Sequence, residues 1–187
     1  MLGTSWNDAG TFELLSGTLA IGDPSDRALG TGGAGMLVPA RTGSWQVSYS
    51  RIGPAPAALQ AVHGFVPPDV LHWIEAERPL TVDSGQVGVI DERFFRPDDD
   101  RWSIRCRRLT SIHPFAGIFP AGAVSATYAG QGRYPLLLAR GVDDRVLGVR
   151  VLFVDPVEQL ADLAPADRRG SAVDRQRRFE LVPHAAS

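Results

Sequence analysis

Asp83 and Ser84 stand side by side in the stretch Leu80-Thr81-Val82-Asp83-Ser84-Gly85. A carboxylate next to a hydroxyl suggests two routes to hydrolysis. In one, two carboxylates share a proton and activate a water. In the other, the serine attacks after a histidine takes its proton. The first route meets an obstacle in a second, related stretch. Residues 16 to 23 read Ser-Gly-Thr-Leu-Ala-Ile-Gly-Asp and residues 84 to 91 read Ser-Gly-Gln-Val-Gly-Val-Ile-Asp. Leu15 occupies the place equivalent to Asp83, so one chain offers one carboxylate and a homodimer would have to supply the other. For the second route, Ser84 lacks the Gly-x-Ser-x-Gly elbow that exposes a nucleophile. The plainer role for Asp83 is to accept backbone N–H bonds in an Asx-turn that fixes the Ser-Gly corner.

Other side chains with chemical potential are weaker candidates. Asp91-Glu92 and Asp98-Asp99-Asp100 are rich in the oxygen donors that a hard cation prefers. Their spacing fits no EF-hand loop, and solvated turns account for them. His63, His72, His113 and His184 include no i,i+4 pair and no His-Glu-x-x-His. His72, beside Trp73, reads as a half-buried packing residue. Cys106 is the only cysteine, which excludes an internal disulfide and a cysteine-built zinc site. We therefore expect no metal and no cofactor. Arg101, Arg105, Arg107 and Arg108 surround Trp102, a combination that suits stacking against nucleic acid. The aspartates just before them would repel phosphate, and Arg with Trp is equally favoured at protein–protein contacts. The net charge of −2 selects neither nucleic acid nor an acidic membrane.

These residues need elements to position them. With 20 Gly and 14 Pro in 187 residues, turns are frequent, which favours short strands over long helices. Each repeat copy reads as a Ser-Gly turn, an alternating strand and an acidic stop. Residues 44 to 52 alternate, with Trp45, Val47 and Tyr49 on one face. Residues 55 to 63 fit either a strand or a short helix. Asp69 is placed to cap a short helix over Val70 to Ala76. Arg101 to Leu109 alternates as a strand, with Trp102, Ile104 and Cys106 opposite Ser103, Arg105 and Arg107. Residues 115 to 128 read as a strand bent at Gly117 or Gly122. Tyr134–Arg140 and Arg145–Val154, joined by Gly-Val-Asp-Asp, form the clearest hairpin. Gly30–Gly35 lacks the Lys-Ser/Thr ending of a phosphate loop. The fold expected is mainly β, with α+β as the alternative. It would be an antiparallel sandwich or strongly bent sheet with an internal repeat of two hairpin units and one or two short helices. Residues 1–155 form one domain, and residues 156–187 are a charged extension packing on it. Met1–Trp6 has no basic stretch leading into an apolar run, and no run reaches the roughly 20 apolar residues of a membrane helix. The expected location is cytoplasmic.

Val82-Asp83-Ser84-Gly85-Gln86, Trp102, Ala116–Ser125 and Gly130-Gln131-Gly132-Arg133-Tyr134-Pro135 occur in this order. Together they resemble a family of uncharacterised bacterial domains with Val-Asp-Ser-Gly-Gln and Gly-Asp-Gly-x-Tyr-Pro motifs. The likeness spans about residues 14 to 155. Gln131 departs from it where the family has Asp, and Ser25 where a Cys-Tyr pair is common. The resemblance implies no activity; it implies an interaction role, of the immunity kind found beside toxin or secretion genes. The expectation is a non-catalytic binding protein whose partner is another protein, with Asp83, Trp102, Arg105 and Tyr134 as binding residues. The alternative is a hydrolase centred on Asp83 or Ser84, either a serine hydrolase or a homodimer resembling aspartic peptidases, whose apolar-Asp-Ser/Thr-Gly phrase residues 80–85 match.

Overall fold

Alternating apolar residues separated by glycine turns make the described part of the protein mainly short antiparallel strands. The computed structural model describes residues 5–27, 35–97, 99–113, 115–127 and 129–153. The expected extension at 156–187, the start of the Gly30–Gly35 segment, Asp98 and His184 lie outside the described residues.

One sheet has six strands in the order β1 (Asn7–Leu14), β4 (Gly43–Ile52), β5 (Ala55–His63), β13 (Val146–Leu152), β12 (Leu136–Arg140) and β6 (Ile74–Glu75). A second has five, in the order β3 (Met36–Pro39), β2 (Thr18–Gly22), β8 (Gln86–Asp91), β10 (Gly122–Ala126) and β9 (Gly117–Phe119). A short ladder joins β7 (Leu80–Val82) to β11 (Gly132–Tyr134). All these pairings are antiparallel. The main core is shared by the two larger sheets, as in a sandwich. Trp45, Val47, Leu59 and Val149 come from the first, and Leu19, Ile21, Val87 and Val89 from the second. Removing each such side chain from water contributes roughly 1.5–3 kcal/mol.

Residues 55–63 resolve to a strand. β5 is central, with Val149 opposite Ala61 and Val47 on its other side, and it is buried along nearly its whole length. The hairpin of β12 and β13 forms as its sequence indicates. Residues 115–128 are not one bent strand but a second hairpin, β9 turning at Pro120-Ala121 into β10.

Two expected elements are replaced. Arg101–Leu109 is not a strand; it lies in α1 (Asp100–Ile112), the one α-helix among the described residues. The Asp99 carboxylate accepts the Arg101 N–H at 2.9 Å and caps it. Trp102, Cys106 and Thr110 recur every four residues on its buried face. Ile104, assigned inward by the alternating reading, is 61% exposed. The helix expected at Val70–Ala76 is also absent. One 3-10 turn at Pro68–Val70 follows Pro67, and the chain then extends into β6. Trp73 packs instead on the outer face of the six-stranded sheet, where a Cβ at Gly148 would meet its ring at 2.7 Å. His72 is exposed rather than half-buried.

Candidate functional site

The repeated phrase builds a pair of braces. β2 and β8 lie antiparallel with Ile21 opposite Val89, equivalent positions of the two copies, and Ala20–Ile90 and Gly22–Gly88 on either side. A local two-fold axis therefore passes through the Ile21–Val89 pair. It carries the acid of each copy to the turn of the other. Asp91 Oδ2 accepts the N–H groups of Leu15 at 2.6 Å and Ser16 at 3.0 Å. Asp23 Oδ2 accepts those of Asp83 at 2.8 Å and Ser84 at 2.6 Å. Each acid also makes its own Asx-turn, from Ser25 N–H at 2.8 Å and Arg93 N–H at 2.9 Å. The glycine of each turn is left-handed, with φ 77 at Gly17 and φ 73 at Gly85, which explains why the two copies share Ser-Gly.

Thus the carboxylate that fixes the Ser84-Gly85 corner is Asp23, not Asp83 as the sequence suggests. The Asp83 side chain is exposed and bonds no described residue. The Ser84 hydroxyl donates a hydrogen bond to Asp23 Oδ1 at 2.7 Å, and Asp23 is already engaged by three backbone N–H groups. That is the geometry of a structural brace. Burial alone would raise the Asp91 carboxyl, but the N–H groups of Leu15, Ser16 and Arg93 outweigh it and hold the group below its ordinary value.

The stretches Val82–Gln86 and Gly130–Pro135 meet here. β7 pairs with β11 so that Leu80 faces Tyr134 and Val82 faces Gly132. Thr127 Oγ1 spans the carbonyls of Gly85 and Gly130 at 3.1 and 2.5 Å, and Gln86 donates to Thr110 on α1. Tyr134 is 4% exposed, its hydroxyl donating to the Gly130 carbonyl at 2.9 Å and its ring edge-on to Phe153. Of the four residues proposed from sequence for binding, Tyr134 belongs to the core and Asp83 to an exposed corner. Trp102 and Arg105 come together. They line a hollow of about 260 Å³ with Phe94, Arg96, Asp99, Arg101 and Phe119. Cys106, behind this hollow, is buried, which pushes its thiol up to about 12 and removes it as a nucleophile at neutral pH. No three His, Cys, Asp or Glu side chains gather to hold a metal among the described residues.

A second, wider concavity among the described residues could not be read from sequence because it depends on which strands end at an edge. It is a cleft of about 920 Å³ where β3, the edge of one sheet, faces β6, the edge of the other. Hydrogen-bond phase tells which backbone groups point into it. Ala40 N–H bonds Gly17 O, so Val38 and Met36 also bond inward, while Leu37 and Pro39 turn outward. Pro39, with no N–H to lose, fits this phase. Ala76 N–H bonds Leu136 O, so by the same alternation Glu75 turns its N–H and C=O away from β12. Met36, Leu37, Ile74 and Leu138 give the cleft an apolar part. Glu75, Glu77, Arg78 and Arg133 line it too, and none forms an ion pair with a described residue.

No family model matches the chain, nor does any curated protein or solved structure.

Proposed function

We propose that this is a non-catalytic interaction protein, and that the cleft between β3 and β6 receives an extended segment of a partner protein. The observation that carries the reading is the outward-turned backbone of Leu37 and of Glu75 on two sheet edges facing the same cleft. Exposed N–H and C=O groups on a sheet edge are a template for strand addition, with neighbouring side chains giving selectivity. The partner class fits the immunity-type pairing implied by the family resemblance.

Leu37→Pro tests this. It removes an outward N–H that no internal bond uses, as Pro39 already does at the next outward position. Affinity capture from native lysate is expected to retain one stoichiometric protein on the wild type, to lose it on Leu37→Pro and to retain it on Leu15→Ala, an exposed residue outside the cleft. Thermal melting should agree within a few degrees among the three. An empty wild-type capture, or capture unaffected by both Leu37→Pro and Glu75→Pro, would overturn the reading.

A further inference from the structure

We propose that the hollow beside α1 is a separate site for a small aromatic anion of the aryl-phosphate class. Three guanidinium-bearing residues, Arg96, Arg101 and Arg105, line it together with Phe94, Trp102 and Phe119. No described carboxylate forms an ion pair with any of the three. The one acidic side chain among the described wall residues, Asp99, already uses one oxygen to cap α1 through the Arg101 N–H.

Two of the cations are held in place before any ligand arrives. Arg105 lies over the Phe119 ring with 5.6 Å from its guanidinium carbon to the ring centroid, a favourable cation–π placement. Arg96 is tied back by Nη1 to the Phe95 carbonyl at 2.9 Å. Arg101 and Arg105 stand at i,i+4 on the helix, a spacing at which like charges repel; an anion between them relieves that repulsion. Planar forked donors such as these match the oxygens of a phosphate. The aromatic part of the wall is rigid. Trp102 donates Nε1–H to the Pro24 carbonyl at 2.9 Å and meets Phe119 edge-on at 5.5 Å. Phe94 is 44% exposed and offers its ring to an occupant. The hollow holds about 260 Å³. Drug-sized sites run from roughly 300 to 1,000 Å³. The occupant is therefore a single ring with its anionic group.

The full chain would be titrated at constant ionic strength with phenyl phosphate, inorganic phosphate and benzoate, following the Trp102 indole N–H resonance by NMR. Phenyl phosphate is expected to shift it saturably, at least fivefold more tightly than inorganic phosphate or benzoate. Arg105→Gln and Arg101→Gln should each weaken binding about tenfold, while the exposed Arg107→Gln leaves it unchanged. A lack of saturation would overturn the proposal. Equal affinity for inorganic phosphate would overturn the aromatic assignment, and equal affinity for benzoate the phosphate assignment. Insensitivity to both Arg101→Gln and Arg105→Gln would place any binding elsewhere and overturn the site. None of these outcomes involves the cleft, so the proposal stands or falls independently of the partner reading.

Discussion

Replacing Asp91 by alanine removes the acceptor for three backbone N–H groups at once. Arg93 begins an exposed turn, where water replaces the lost bond. The N–H groups of Leu15 and Ser16 point at an oxygen of a residue that is 0% exposed. A hydrogen bond to a charged group contributes roughly 1.5–3 kcal/mol. Two lost without replacement cost about 3–6 kcal/mol, a large part of an ordinary domain's stability. At about 2–4 °C per kcal/mol for a chain of this size, melting should fall by roughly 10 °C. Asp91→Asn keeps one neutral acceptor and should lose about half as much. The pH dependence has a defined sign. The folded Asp91 carboxyl is held below its ordinary value. Its contribution is therefore full above the unfolded value, about 4. It fades as pH falls through the folded value. Urea unfolding of the wild type, Asp91→Asn and Asp91→Ala at pH 7 and in stepped acid buffers reads both effects. The brace argument is refuted if Asp91→Ala costs less than about 1 kcal/mol at pH 7. It is also refuted if the gap between wild type and Asp91→Asn stays constant into acid.

Two further perturbations test other parts of the frame. Arg150 lies over the rings of Trp73 and Trp6, 4.2 and 5.0 Å from their centroids, and donates twice to the buried Gln60 Oε1 at 2.9 and 2.5 Å. Burial holds this guanidinium below its ordinary value. Arg150→Met should cost about 1–3 kcal/mol in urea and change tryptophan emission, because relief of the cation's desolvation offsets only part of the lost stacking and bonding. A loss below about 0.5 kcal/mol, on the scale of an ordinary surface substitution, would rule this account out. The Cys106 thiol, pushed up to about 12 by burial, should react with a disulfide reagent at pH 8 only as fast as the protein opens, accelerating in urea. Complete reaction within seconds in native buffer would contradict the burial argument.

How far the sequence reaches depends on whether a signal is local. The β12–β13 hairpin is legible because its turn and both apolar runs are contiguous. The repeat is legible as two turn-strand units, and Ser-Gly announces the left-handed glycines. α1 misleads because Trp102, Ile104 and Cys106 satisfy a period of two while Trp102, Cys106 and Thr110 satisfy a period of four. Asp99, which reads as part of a solvated acidic run, is the cap that decides between them. Residues 70–76 mislead because Leu71 and Trp73 serve the outer face of a sheet whose small residue, Gly148, lies far away in sequence. The Arg105–Trp102 association survives the change from strand to helix. The cleft has no local signature, since whether Leu37 and Glu75 face an open edge is fixed by strand order. Pro39 is its one sequence trace. Asp23 reads as a strand stop, but the turn it grips lies some sixty residues on, beyond what periodicity reports.

The crossed acids also bear on how the molecule could have arisen and how it must assemble. Each turn is completed by a carboxylate from the other copy, across separations of 60 to 76 residues. A fragment with a single copy in this arrangement would hold an acid without its turn and a turn without its acid. Two such fragments side by side would supply both. The architecture is that of a symmetric pair of half-chains joined into one polypeptide, with what would have been an intermolecular contact retained as an internal one. Neither half can complete its own corner first, so the two copies must be secured together.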